Sequence, residues 1–482
     1  MVFNKPWTFK EGFLIGGGLI LAGLALQLSV GPVVWDVFAW PVNGIVLAAF
    51  LGLIALIYLF RKKVYAFQFL GTNRAAIPAI AYGVVLTIIM GLTRQQEGGT
   101  WLNDMLSFWP FVLVYVYIDF ILGLVILRQI RKVITSASRS TLYSSLLSHM
   151  GFFLALTTAT LGNADMQRLQ MWTTNNPDIA NLMARAEAFH QQERFAMDES
   201  GNLHELPLAI ELKRFIMETY DDGTTPRRYA SEVMIYSKSS SQQYAATIDV
   251  NKPADVDGWK IYQKDFRQTE MGDDCQISIL ELVSDPWLPW VYAGIYMMLA
   301  GAVLMTLIVL IKRLKKATKK ALWGYFALFV FASLFAYFFF NSYNTKTLMP
   351  ALQSPWFAPH VFVYIFAYSL LGVAVIIAWW KLADDLVHVS LAFLTIGMLF
   401  GALWAKEVWG HYWSWDPKET WAAITWLSYL VFIHYRQLPR HRERLALWVL
   451  IISFVLLQMC WWGINYLPSA QGMSVHTYNM GN

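Results

Sequence analysis

Residues 388–435 read HVSLAFLTIGMLFGALWAKEVWGHYWSWDPKETWAAITWLSYLVFIHY. Two apolar stretches, 388–405 and 420–435, flank a loop whose residues 409–421 hold four tryptophans in thirteen positions. Each flank approaches the length needed to cross roughly 30 Å of hydrocarbon as a helix. Indole rings at such a place ordinarily anchor a helix at the membrane surface. So many large flat rings on one short loop can also form a face for a flat apolar ligand.

The rest of the chain has the same character. Of its 482 residues, 57% are hydrophobic and 14% charged, a balance that excludes an ordinary water-soluble globular protein. Eleven apolar runs are long enough to span: 11–30, 43–60, 75–92, 109–127, 143–162, 288–311, 322–340, 359–380, 388–405, 420–435 and 445–465. The first has no small-residue cleavage site after it, so it is expected to stay as an anchor. The fold expected is a polytopic α-helical membrane protein of about eleven transmembrane helices with an inserted β-rich extracytoplasmic domain.

Basic residues set the orientation, because Lys and Arg beside spans are retained in the cytoplasm. With the N-terminus inside, the inside segments carry 21 Lys and Arg. The short outside loops and the C-terminal tail carry four, Arg94, Lys346, Lys406 and Lys418, and the remaining 12 lie in one large outside region whose length exempts it. The net charge of +5 is therefore a membrane signature, and no detached basic block calls for nucleic acid. Cys275 and Cys460 are too few for a disulfide framework or a CxxC motif.

The large outside region, 165–285, alternates polar and apolar residues in LAIELKRFIMETY, YASEVMIYS, YAATIDVN, WKIYQKDF and CQISILEL, as half-buried strands do. Turn clusters DDGTTP and NKPADVDG separate them, and Pro286 and Pro289 mark the return to the membrane. The segment before the first of these strands, QRLQMWTTNNPDIANLMARAEAFHQQ, reads as helical or irregular.

This topology sorts the nine histidines by depth. His149 and His434 lie near the inner ends of their spans, whereas His360 and His476 lie at the outer level of the tryptophan loop. An imidazole within hydrocarbon needs a partner, and two at one depth from distant segments suit axial ligation of a haem iron. Hydrogen-bonded helix-end histidines are the plainer reading of all four. That plainer reading holds for His190, His204, His388 and His441, while His411, inside the loop, can ligate or simply line a pocket. Asp416, Pro417 and Glu419 together spell a helix start, with an N-cap, a proline at the first helical position and a capping-box glutamate. Capping leaves Trp409, Trp413 and Trp415 unexplained.

WGHYWSWDPKETW resembles the tryptophan-rich WWD motif, WGxxWxWDxxE, of the haem-handling family that includes CcsA, CcmC and CcmF. SPWFAPHVFVYIFAYSLLG, with His360, and GMSVHTY, with His476, are similar to the family segments that carry two external haem-ligating histidines. LSHMGFFLALTTATLG, LPLAIELKRFIMETYDDG and TIDVNKPADVDGWKIYQKDF are similar to the ResB (CcsB) partner protein. The two halves on one chain resemble the fused CcsBA cytochrome c synthases of System II. The chain departs from the commonest motif at His411, where a small polar residue is usual, and spans one to four have no segment-by-segment match.

The resemblance implies four regions: a membrane region at 1–164, a ResB-like extracytoplasmic domain at 165–285, a closing span and basic linker at 286–320, and a CcsA-like haem-handling domain at 321–482. It implies a bacterial inner-membrane haem lyase that carries haem b from an inner site, His149 and His434, to an outer site. There His360 and His476 would ligate iron, and Trp409, Gly410, Trp413, Trp415, Asp416 and Trp421 would hold the macrocycle. The expected partners are haem, the bilayer, apocytochrome c with its CxxCH segment, and a thiol-reducing protein. A haem exporter without ligase activity and a cytochrome b-type electron-transfer subunit are the alternatives. A secondary transporter with inverted repeats finds no such repeat in this sequence.

Overall fold

The computed structural model describes residues 5–135, 140–175, 194–319, 347–378 and 382–472, apart from 97, 100, 199–200 and 269–275, with scattered positions between 320 and 346. Its membrane helices are α1 (Phe9–Ser29), α2 (Val42–Phe60), α4 (Asn73–Leu92), α5 (Trp109–Thr135), α6 (Ser140–Gly162), α7 (Leu288–Lys315), α8 (Phe357–Ile376), α9 (Leu382–Trp409), α10 (Pro417–Arg436) and α11 (Glu443–Trp461). A short α3 (Tyr65–Leu70) lies between α2 and α4. The protein is a multi-pass membrane protein, and among the described residues nine helices are long and apolar enough to cross a bilayer. That is two fewer than the eleven expected spans. The run at 322–340 falls mostly outside the described residues. The other, α10, is helical but too polar to count, with Thr420, Thr425 and Ser428 all buried. It tolerates these groups because neighbouring helices screen it from lipid on most faces, and each bonds a backbone carbonyl.

Between α6 and α7 the chain builds two sheets, one of six strands in the order β3-β2-β1-β9-β8-β7 and one of three in the order β4-β5-β6. The strands are β1 (Gln167–Thr173), β2 (Phe195–Met197), β3 (Leu203–Glu205), β4 (Leu208–Thr219), β5 (Pro226–Ser237), β6 (Gln243–Asp249), β7 (Ala254–Val256), β8 (Trp259–Gln268) and β9 (Gln276–Ser284). The five expected strands are β4, β5, β6, β8 and β9. The start of the segment expected to be helical or irregular is instead strand β1, because Leu169, Met171 and Thr173 alternate inward and β1 pairs along its whole length with β9. Asp257 and Gly258, at φ +53° and +79°, make the tight β7–β8 turn that such a dipeptide favours. The apolar faces of the two sheets close on each other around Ile210, Ile235, Ile248, Ile261, Leu280 and Leu282.

The domain stands on α6 and α7, which touch backbone to backbone. A Cβ on Gly151 would lie 2.6 Å from the Gly294 carbonyl oxygen, and one on Gly301 would lie 2.4 Å from Ser148 Oγ. Ser144 Oγ donates to the Gly301 carbonyl at 3.0 Å. Small residues and cross-helix hydrogen bonds supply the adhesion that hydrophobicity cannot supply in lipid. Gly294→Leu should therefore force the pair apart and cost at least about 2 kcal/mol by overpacking. Thermal unfolding in detergent should show this loss, while Gly52→Leu, at a position with nothing within 4 Å, should unfold like the parent.

Which helix ends share a side follows from contacts. At one side Arg128 donates to the Gly71 and Gln68 carbonyls, Asn73 Nδ2 to the His434 carbonyl at 3.3 Å, and Arg313 pairs with Asp385. At the other side the β domain meets the tryptophan loop, so both face the same compartment.

Candidate functional site

At the end of the bundle away from the β domain, α6 and α10 bring two imidazoles together. The rings of His149 and His434 have centroids 6.3 Å apart and lie at 89°. His434 Nδ1 meets the Leu430 carbonyl oxygen at 2.8 Å. His149 Nδ1 meets the Ser145 carbonyl oxygen at 2.5 Å, with Ser145 Oγ at 3.2 Å and Gln129 Nε2 at 3.4 Å. Each bond to a carbonyl one turn back assigns the proton to Nδ1, so the neutral ring carries its lone pair on Nε2. Two imidazoles sharing one metal at about 2 Å per bond have centroids about 6 Å apart. The spacing fits a bis-imidazole site. Below it, Arg436 binds Asp384 at 2.9 Å and 2.5 Å and also meets His441 and Glu443, which fixes the end of α10.

The tryptophan loop is held by its own polar groups. Asp416 caps α10 by accepting from Lys418 N at 2.7 Å, with Pro417 next and Glu419 completing the capping box, as expected. Glu419 Oε2 also accepts from Ser414 N at 2.8 Å and from Ser414 Oγ at 3.2 Å, so with Asp416 N one carboxylate gathers three donors from the loop. The result is an unusual backbone at Trp415, whose φ is +58°. A bulky residue in the left-handed region costs of order 1–3 kcal/mol and persists only where its surroundings impose it. Here Thr420 Oγ1 donates to the Trp415 carbonyl at 3.0 Å, and the indole meets Phe111 and Tyr115 of α5 edge-on at 6.0 and 6.2 Å.

The three tryptophans left unexplained by capping do not make one flat platform. Trp413 meets Trp415 at 5.8 Å and 87°, and both lean toward α5 through the Trp415 contacts. Trp409 turns the other way, packing on Trp404 at 4.9 Å and stacking with His411 at 6.3 Å and 18°. The loop is thus split into two aromatic walls. Trp421 is 2% exposed and belongs to the α10–α4 seam, its indole Nε1 2.9 Å from where a Cβ of Gly91 would lie. The Nε1 donors of Trp413 and Trp421 are buried with no acceptor among the described residues, as suits a site completed by a ligand bearing acceptor groups.

His360, in the first turn of α8, lies on the Trp409 wall. Its ring is 5.9 Å from that of Trp404 and 4.8 Å from that of Tyr364. Its Nδ1 meets the Gly397 carbonyl oxygen at 2.7 Å, which again leaves the lone pair on Nε2, and its ring fits against α9 where Gly401 has no Cβ to obstruct it. His476 lies outside the described residues, so the outer pair is seen from one side only. Between the two levels is a small void of about 10 Å³, room for a single water, lined by Tyr364, Tyr368, Leu394, Met398, Ala422, Thr425 and Trp426. Tyr364 touches His360 at its outer end. At its inner end Trp426 touches Phe152, one turn from His149.

Two contributions to the site were not expected. The N-terminal helices, unmatched in the sequence, supply the Phe111 and Tyr115 wall. The β domain reaches the loop directly: Tyr262 and Val283 close over Gly410, which needs its φ of +75°, and Val250 and Tyr229 join Trp404, Val408 and Trp409 in one cluster. Gly410 was marked as part of the motif, but nothing local signals that its missing Cβ makes room for a distant strand.

Comparison with known proteins gives the two regions separate matches. Residues 378–470 match the Cytochrome C assembly protein family and residues 136–280 the ResB-like family. The chain is 34% identical over 162 residues to the cytochrome c biogenesis protein CcsA of Chlamydomonas reinhardtii, covering 29% of this chain and 45% of that protein. To the CcsA of Pelargonium hortorum it is 29% identical over 194 residues, covering 28% of this chain and 60% of that protein, and to the CcsA of Oryza sativa 46% identical over 92 residues, covering 19% and 27%. The chain thus spans less than two thirds of the length of each of these relatives. One chain carries a region matching the ResB-like family followed by a region matching the Cytochrome C assembly protein family and similar to CcsA.

Proposed function

We propose that this chain, with its ResB-like and CcsA-like regions in tandem, acts in cytochrome c maturation as a haem-delivering synthase of an inner membrane, with the β domain and the tryptophan loop on the extracytoplasmic side. The observation that carries the reading is the imidazole pair of His149 and His434, whose separation, angle and shared tautomer suit two axial ligands of one iron. Haem is the cargo. It enters at this inner pair, where the Nε2 lone pair of each ring would ligate the iron.

The aromatic side chains of Tyr364 and Trp426 lie between the inner and outer sites, and haem moving outward passes them. At the outer site His360 and His476 ligate the iron, and the walls of Trp409 and of Trp413 with Trp415 flank the macrocycle. The donors Trp413 Nε1 and Trp421 Nε1 meet its polar edge. This chain binds, orients and excludes water. The bond making belongs to the substrates: each cysteine thiol of an apocytochrome CxxCH segment adds across a vinyl group, its sulfur to one carbon and its hydrogen to the other, with no net oxidation. Placing both thiols beside both vinyls at once replaces a bimolecular encounter by an intramolecular one.

The test is reconstitution with four components: this protein, haem, a reductant and an apocytochrome c bearing CxxCH. Covalent haem on the apocytochrome, together with a low-spin bis-imidazole spectrum of the loaded protein, is the expected result. Loaded protein that releases haem without forming thioethers would make it a carrier, and absence of both signals would overturn the reading.

A further inference from the structure

Lys406 occupies an unusual place for a lysine. It stands in the last turn of α9 with its side chain 3% exposed, and its Nζ donates to the Gly410 carbonyl at 2.8 Å, across the start of the tryptophan loop. The carboxylate nearest to it is not in the membrane region. Asp285, immediately after β9, has a side chain 5% exposed and brings Oδ2 to 4.0 Å from Lys406 Nζ, while its Oδ1 accepts from Trp287 N at 3.1 Å as α7 begins. Asp285 Oδ2 has no hydrogen bond among the described residues. Burial pushes the Asp285 carboxyl above its usual range, and Lys406 pulls it back. Around the pair the same sheet presents Arg168 and Lys264, both on Glu281, and Lys260 on Asp255.

Burying two opposite charges is stabilising only weakly, but removing either leaves the other uncompensated. Such a pair is kept where it specifies an arrangement. The arrangement here joins three things: the end of the β domain, the start of its return helix, and the backbone of Gly410, on which Tyr262 and Val283 already rest. We propose that Lys406 and Asp285 are positioning residues that fix the tryptophan loop to the β domain, so that the geometry of the outer site depends on where that domain sits. The domain is then part of the site's framework as well as a cover over it. The consequence for haem rests on the function proposed above, whereas the mechanical coupling does not.

The test uses full-length, haem-free protein in detergent and follows hydrogen exchange of the amides of residues 409–416. Lys406→Met deletes the donor to Gly410 and leaves a lone buried carboxylate, so exchange there should rise at least about tenfold, with the amides of the α10 core unchanged. The double variant Lys406→Met with Asp285→Asn removes the charge imbalance. It should recover folded yield but keep the raised exchange, because Gly410 still lacks its donor. If the pair were only a matter of buried charge, the double variant would return exchange to the parent level, and that result would overturn the proposal. Unchanged exchange in Lys406→Met would do so as well. Loading with haem then separates the two claims: raised exchange in a protein whose parent takes up no haem leaves the coupling intact and defeats the proposed function.

Discussion

His434→Ala and His149→Ala should each strip the inner site of haem, lowering the haem content of purified protein at least about tenfold, since even outer partners of metal ligands are worth ten- to a hundredfold in affinity. The argument is geometric. Each imidazole holds Nδ1 on a carbonyl of its own helix and faces the other at 6.3 Å between centroids, so removing either leaves one ligand where two are needed. The two variants should be equivalent, and the double variant should lose little more than either one. Haem content by absorbance after denaturation, compared at equal folded yield, decides the matter. Parent-like haem in both single variants would reduce the pair to hydrogen-bonded helix-end histidines.

His360→Ala should act on the other face with a different signature. Holocytochrome formation should fall at least about tenfold, while haem at the inner pair stays, because His360 packs on Trp404 and Tyr364 and bonds the Gly397 carbonyl at the outer level, near the tryptophan loop. His476→Ala should match it. A cavity at His360 could also loosen the α8–α9 contact, so unfolding temperature is measured alongside; loss of maturation at an unchanged unfolding temperature assigns the effect to ligation. Maturation at the parent level in both variants would remove the outer site as proposed.

Much of this architecture was legible in residue order. Span length and hydropathy placed most ends of the described membrane helices to within a few residues, because lipid leaves the backbone no other way to bond itself; α5 runs eight residues past its expected end and α9 begins six before its expected start. Charge counting put the β domain and the tryptophan loop in one compartment, and their contact is direct. The same depth argument set His149 beside His434, although no local pattern marks His149. What was not legible depended on distant partners. Strand β1 looked irregular because the residues after it carry no strand pattern and its ladder partner, β9, is over a hundred residues away. The tryptophans read as one platform because spacing along a loop says nothing of φ at Trp415 or of Phe111 and Tyr115 waiting on α5. The contacts of Lys406 were hidden in the same way, since it counted only as one of four basic residues outside the membrane.

The contact of α6 with α7 also bears on the order in which the protein assembles. Gly151 and Gly294 bring these helices together at backbone distance, and the strands that continue them, β1 and β9, are neighbours in the central sheet, with Gln167 opposite Ser284. Closing a long loop is the slow and entropically costly step in forming such a non-local pair. Once both helices are inserted, that closure has been made by the bilayer, and the β1–β9 ladder can grow outward from the membrane surface one register at a time. The lipid thus acts as a template for a sheet it never touches, and a delay in inserting α7 would leave β1 as an open edge for another chain to pair with.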